Sequence, residues 1–175
     1  LILLLDTGLR ASELSSLTIG NVCFESQTLR VIGKGDKERL VPFGKLARQV
    51  MLNYLLQRNR QLDDAEYGPF FVTSLGEPLN RNALRVMFHA RGKAAGISGV
   101  RCSPHTMRHT AAVSYLRRGG DAFSLQKLLG HADLNMTRRY CELADSDVQD
   151  KHRLFSPADG LLKTSALSGN RRRLR

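Results

Sequence analysis

Ser103-Pro104-His105-Thr106-Met107-Arg108 combines a helix start with two side chains suited to an anion. Serine at the N-cap and proline at the first helical position open a helix that continues to Gly119-Gly120. His105 and Arg108 stand three residues apart, so they share a face of its first turns. The free N–H groups and partial positive charge of a helix N-terminus add to them. Such a site fits an oxyanion or a phosphate. Taken alone, the pair is read more simply as a surface histidine and arginine, because His-x-x-Arg is frequent by chance.

Outward from that stretch, Leu125, Leu128 and Leu129 mark a further helix stopped by Gly130, with His131 directly after it. A lone histidine past a helix end is usually structural. Asn135 can cap a short helix bearing Tyr140, and Asp145 to about Phe155 reads as one more. A tyrosine on an amphipathic helix is usually a core or boundary residue, which is the reading for Tyr54, Tyr67 and Tyr115. Tyr140 differs because basic residues can converge on it, and nearby cations favour a phenolate. In the other direction, Asn80 can cap a helix carrying Leu84, Met87 and Phe88 and ending near Gly96.

The N-terminal third is organised differently. Leu1–Leu5 reads as the end of a buried helix stopped by Gly8, and Ala11 to Leu17 as a short helix. Val22–Phe24, Thr28–Ile32 and Glu38–Val41 are short, apolar or β-branched, and separated by turn residues, which predicts three antiparallel strands. Gly33-Lys34-Gly35-Asp36 supplies the second turn and puts Lys34 at its tip, where a lysine is ordinarily just solvated. Leu46, Ala47, Val50, Met51, Tyr54 and Leu55 share a helical face, and Phe70–Val72 reads as a further short strand. Arg10 and Glu13, in Gly8-Leu9-Arg10-Ala11-Ser12-Glu13-Leu14, can pair and leave guanidinium donors for an anion; the plainer reading is a surface ion pair of little worth.

Composition narrows the class. The 175 residues suit one globular domain with a real core, and 27 cations against 16 acids give a net charge of +11. Five of those cations, Lys163, Arg171, Arg172, Arg173 and Arg175, lie in residues 163–175; the remainder keeps 22 against 16 and is still basic. The excess predicts an anionic partner, nucleic acid ahead of an acidic membrane surface. The Leu1–Leu5 apolar run is far too short to span a bilayer, and no membrane partner is expected. Cys23, Cys102 and Cys141 form no Cys-x-x-Cys pair, which argues against a disulfide scaffold, against a zinc site and for the cytoplasm. The chain starts at Leu1 inside an apolar segment and reads as a piece of something longer, with 1–160 folded and 161–175 a basic, flexible tail.

In order, Gly-Leu-Arg-Ala-Ser-Glu-Leu, Gly-Lys-Gly-Asp-Lys-Glu-Arg, Ser-Pro-His-Thr-Met-Arg-His-Thr, Leu-Leu-Gly-His-Ala-Asp-Leu and then Tyr140 resemble the catalytic domain of the tyrosine recombinases, the phage-integrase and Xer-type enzymes, over roughly Leu3 to Leu162. The resemblance implies an α+β, mostly helical catalytic fold with a small three-stranded antiparallel sheet. It implies site-specific recombination of DNA, integrating or excising a mobile element, without ATP, metal or other cofactor. Arg10 matches the family's first arginine, Glu13 its supporting acid, Lys34 the hairpin lysine, His105 and Arg108 the His-x-x-Arg, His131 the late histidine or tryptophan, and Tyr140 the nucleophile. It also implies a homotetramer on two duplexes, with residues 144–160 as the candidate protomer contact and a monomer conceivable for the isolated domain. Few aromatics and no tryptophan favour double-stranded over single-stranded DNA. Arg81, Arg85 and Arg91 either approach a groove of that duplex or form a solvated helix face, and the sequence weighs these equally. The rival readings are a type IB topoisomerase-like nicking enzyme, an inactive architectural DNA-binding relative, and a metal-binding protein.

Overall fold

The computed structural model describes residues 1–33, 35–59, 68–131, 133–144, 152–153 and 156–159. Lys34, Tyr67, most of the helix expected from Asp145 to Phe155 and the tail from Leu161 lie outside them.

The leucine run forms α1 (Ile2–Thr7), closed by Gly8 at φ 61°, a left-handed conformation that glycine adopts at little cost. After it come α2 (Ala11–Ser15) and a single 3-10 turn, Ile19–Asn21. β1 (Val22–Cys23), β2 (Thr28–Ile32) and β3 (Glu38–Pro42) then form an antiparallel sheet in that order. Thr28 pairs with Pro42 and Ile32 with Glu38. Strand alternation turns Leu29, Val31 and Val41 inward and leaves Arg30, Ile32 and Leu40 outside. Gly35 and Asp36 carry the positive φ values of the β2–β3 turn, 75° and 53°. Five helices follow: α3 (Lys45–Asn59), α4 (Arg81–Ala94), α5 (Pro104–Arg117), α6 (Ala122–Leu129) and α7 (Leu134–Ala144). The result is the mostly helical α+β architecture expected.

Two apolar clusters hold these elements. The larger joins α1, α2, the inner sheet face, α3 and α4 around Leu4, Leu9, Leu29, Val41, Met51, Phe70 and Leu84. The smaller joins α5, α6 and α7 around Ala112, Leu125, Leu129 and Tyr140. Asn80 caps α4 through Ala83 N–H at 2.9 Å, and Ser103 caps α5 through Thr106 N–H at 3.2 Å, both as expected. Among the described residues no helix is long and apolar enough to cross a membrane.

Three local expectations need correction. Leu46 and Val50 are exposed; the buried stripe of α3 runs through Ala47, Met51 and Arg58, one step around the helix. Phe70–Val72 is not a strand: one isolated bridge precedes it, Thr18 with Pro69, and one ends it, Val72 with Pro78. Both bridges involve prolines, which have no N–H to extend a ladder, and the chain turns back on itself through Thr73–Glu77. Finally, α7 starts at Leu134, so Asn135 lies within its first turn; the Asp133 carboxylate accepts the Asn135 N–H at 3.0 Å.

Leu29 is fully buried where the sheet meets the larger cluster. Leu29→Ala is expected to cost about 2–5 kcal/mol. Urea unfolding should show a lower midpoint at unchanged slope.

Candidate active site

The site forms where four separate segments meet the C-terminal end of α6. That end is a Schellman-type stop: Gly130, at φ 63°, and His131 return their N–H groups to Lys127 O at 3.2 Å and Gln126 O at 3.1 Å. The carbonyls that follow have no helical partner and carry the negative end of the helix dipole. Arginines take them in succession. Arg39 Nε donates to Leu128 O at 3.1 Å, Arg108 Nη2 to Leu129 O at 2.9 Å and Arg10 Nη2 to Gly130 O at 3.1 Å.

One carboxylate holds two of these guanidiniums. Glu13 Oε1 accepts from Arg10 Nη1 and Arg39 Nη1, each at 2.8 Å. Its Oε2 accepts from the Arg10 backbone N–H at 2.8 Å and from Arg39 Nη2 at 3.0 Å. Glu13 is 3% exposed. Burial alone would push its carboxyl up, but the hydrogen bonds and charges of Arg39 and Arg10 outweigh that and hold it below the usual carboxylate range. Arg10 and Glu13 are thus a part-buried pair shared with Arg39, with the carboxylate itself buried, and not the weak surface pair that the spacing alone permits.

Arg108 is buried on α5 and bridges two helix ends, donating to Gly8 O of the α1 cap at 2.6 Å and to Leu129 O. Burial first, then repulsion from Arg10, lowers its pKa to about 10, so it stays charged at neutral pH. The sequence placed His105 on the same face. In the structure His105 is exposed one turn earlier, lining a cleft of about 390 Å³ with Arg81, Arg85 and Arg101 between α4 and α5. Arg81, Arg85 and Arg91 are all exposed, but only the first two line that cleft.

His131 is 7% exposed, and its Nδ1 lies 3.1 Å from the fully buried Thr137 Oγ1 of α7. Burial, followed by the charges of Arg108, Arg10 and Arg39, lowers its pKa to about 4. At neutral pH it is a neutral imidazole. The Tyr140 ring lies beside it, centroids 6.0 Å apart at 16°, and against His109 of α5 at 5.3 Å and 56°. The phenol hydroxyl makes no hydrogen bond among the described residues. Arg138 turns outward to Glu142, at 3.6 Å, and Arg139 is exposed.

Arg10, Glu13, Arg108, His131 and Tyr140 therefore come together, while Lys34 lies outside the described residues. Sequence reasoning passed over Arg39, Thr137 and His109. Arg39 did leave a signal: it shares strand parity with the buried Val41, and an inward-facing arginine needs an anion. Thr137 and His109 left none.

Residues 1–147 match the model of the phage integrase family. The chain is 34% identical over 156 residues to the tyrosine recombinase XerD of Halalkalibacterium halodurans, covering 89% of this chain and 52% of that protein. It is 35% identical, with the same coverage, to XerD of Staphylococcus aureus strain Mu50. Among solved structures, XerA recombinase superposes with a TM-score of 0.75 at 33% identity, over 87% of this chain and 55% of that one. XerH site-specific recombinase, bound to its palindromic difH substrate in a post-cleavage complex, gives 0.69 at 25% identity, over 90% and 44%. With that extent of agreement the chain belongs to the phage integrase family, and its fold is that of a tyrosine recombinase catalytic domain. It spans about half the length of the curated relatives it matches.

The charge arrangement sets the response to substitution and to pH. Glu13→Gln leaves three clustered guanidiniums with no counter-charge, and the expected loss is about 3–5 kcal/mol by calorimetry. The His131 ring should titrate near pH 4 in an NMR experiment; a midpoint near 6.5 would show that it is neither buried nor enclosed by cations. Its folded pKa is depressed, so its contribution to stability is complete above about pH 6.5 and is lost as pH falls toward 4. Glu13 adds a loss at lower pH, as its carboxyl is protonated below the range of the unfolded chain.

Proposed function

We propose that this chain is the catalytic part of a site-specific tyrosine recombinase that cuts and rejoins double-stranded DNA. The observation that carries the reading is the gathering of Arg10, Arg108 and His131 at the end of α6, with the Tyr140 ring stacked beside His131. Relatives named as tyrosine recombinases and a related recombinase bound to its substrate support it. So does the net charge of +11, which suits a polyanion.

In this reaction the Tyr140 oxygen attacks the scissile phosphorus. The bond to the 5′-oxygen breaks, giving a 3′-phosphotyrosine and a free 5′-hydroxyl. A 5′-hydroxyl from the partner strand then attacks the phosphotyrosine and returns the phenol. The number of phosphodiester-type bonds is conserved in each step, so no nucleotide is consumed. Arg10 and Arg108 hold the non-bridging oxygens, with forked donors that match their geometry. Neutral His131 donates one further hydrogen bond from Nε2. His105 takes the phenol proton, and Lys34 gives a proton to the leaving 5′-oxygen. Arg81 and Arg85, on the cleft beside His105, contact backbone phosphates, and Arg91 supplies a separate contact. The working assembly is a homotetramer on two duplexes, acting on a mobile element.

The test is covalent trapping on a pool of nicked suicide duplexes in EDTA. The expected result is a protease-sensitive shifted band on a denaturing gel, absent for Tyr140→Phe. Arg108→Ala should form it about 10²–10⁴-fold more slowly. If Tyr140→Phe still yields the band, the nucleophile is assigned wrongly. Relaxation of supercoiled plasmid without strand exchange would instead favour a type IB topoisomerase-like activity.

A further inference from the structure

Arg39 has no role in the reaction just described, yet it is the most internally committed cation of the cluster. All three of its guanidinium nitrogens donate inside the protein: Nε to Leu128 O, and Nη1 and Nη2 to the two oxygens of Glu13. Its side chain is 15% exposed, against 34% for Arg10. It stands on β3, which otherwise belongs to the larger apolar cluster, and reaches across to the end of α6, which belongs to the smaller one. The backbone at Gly130 makes room for it. A Cβ there would sit 2.9 Å from Arg39 Cζ, and the φ of 63° already disfavours a side chain.

We infer that Arg39 is a positioning residue: it fixes the Glu13 carboxylate and the α6 terminus from which Arg10 and His131 are presented. This rests on the recombinase reading of the site. With both Glu13 oxygens bridged to Arg39, the carboxylate has one orientation, and Arg10 must meet it through Nη1. That meeting sets where the remaining Arg10 donors point. The Leu128 contact acts on the other side, because Leu128 is three residues before His131 on the same helix end. Arg39 thereby ties the sheet to the phosphate-facing groups without touching a phosphate. A lysine cannot substitute, since one ammonium cannot span two carboxylate oxygens and a carbonyl in that fork geometry.

The experiment compares wild type, Arg39→Met and Arg39→Lys on the trapped duplexes, measuring single-turnover cleavage at saturating DNA, DNA affinity, and the His131 titration. Displacements of about 1 Å cost on the order of 10²-fold in rate, and that loss is expected for Arg39→Met with affinity within about threefold of wild type. The His131 midpoint should also move upward, because a neighbouring cation is gone. Arg39→Lys keeps the charge and should still cleave at least about tenfold more slowly. If Arg39→Met does not fold, the lysine variant decides. Cleavage at the wild-type rate by Arg39→Lys, or a loss confined to DNA affinity, overturns the inference. Failure of wild type to form a Tyr140 adduct overturns the recombinase reading itself, and the inference falls with it.

Discussion

The C-terminal end of α6 is the constraint on which the rest of the site depends. A helix end exposes carbonyls that must find partners, and burial makes the need stricter. Here Leu128, Leu129 and Gly130 are satisfied by guanidiniums from β3, α5 and the start of α2. A structural requirement of the backbone thus gathers three cations from residues 10, 39 and 108 into one place. Arg108 repeats the device at the cap of α1, where it takes Gly8 O. The two glycine caps matter for the same reason. Their left-handed turns end the helices abruptly and leave carbonyls pointing at the arginines.

Clustering like charges is unfavourable, and the structure meets that with one buried acid. Glu13 accepts four hydrogen bonds, two to each oxygen, which is the full capacity of a carboxylate. Burial, with the same field added to it, explains the state of His131. A ring that is first of all buried, and then surrounded by three arginines, sheds its proton, and so it can act as a hydrogen-bond donor without adding a fourth charge.

Much of this was legible in the sequence, for identifiable reasons. The caps at Gly8, Asn80, Ser103 and Gly130 are local signals, and each falls where expected. The three strands were readable because their alternation is short and bracketed by turn residues. The motif residues Arg10, Glu13, Arg108, His131 and Tyr140 do meet, but their meeting is a tertiary fact that spacing alone could not supply. What stayed hidden depends on which face an element finally buries. Leu46 and Val50 looked like core and are exposed, since α3 settles on Ala47 and Met51 instead. Arg39 looked like one more charge in a hairpin and is the link between sheet and site. Its strand parity hinted at this, but its partners lie 26 and 89 residues away.

Charge counting connects the fold to the proposed chemistry. Three guanidiniums and one carboxylate leave a surplus of two positive charges around His131 and Tyr140. A phosphodiester beside a neutral phenol brings one negative charge. Once the phenol proton has left and attack has begun, the reacting group carries two. The cluster is therefore better matched to the reacting state than to the resting complex, which is the condition for accelerating a step and not merely binding its substrate. Were Glu13 absent, the surplus of three would favour DNA binding in general. Were Arg39 absent, Glu13 would answer Arg10 alone and cut the surplus to one. The Glu13–Arg39 pair is thus a neutral fixture beside Arg10, and under the proposed reaction the charges of Arg10 and Arg108 are left for the phosphate.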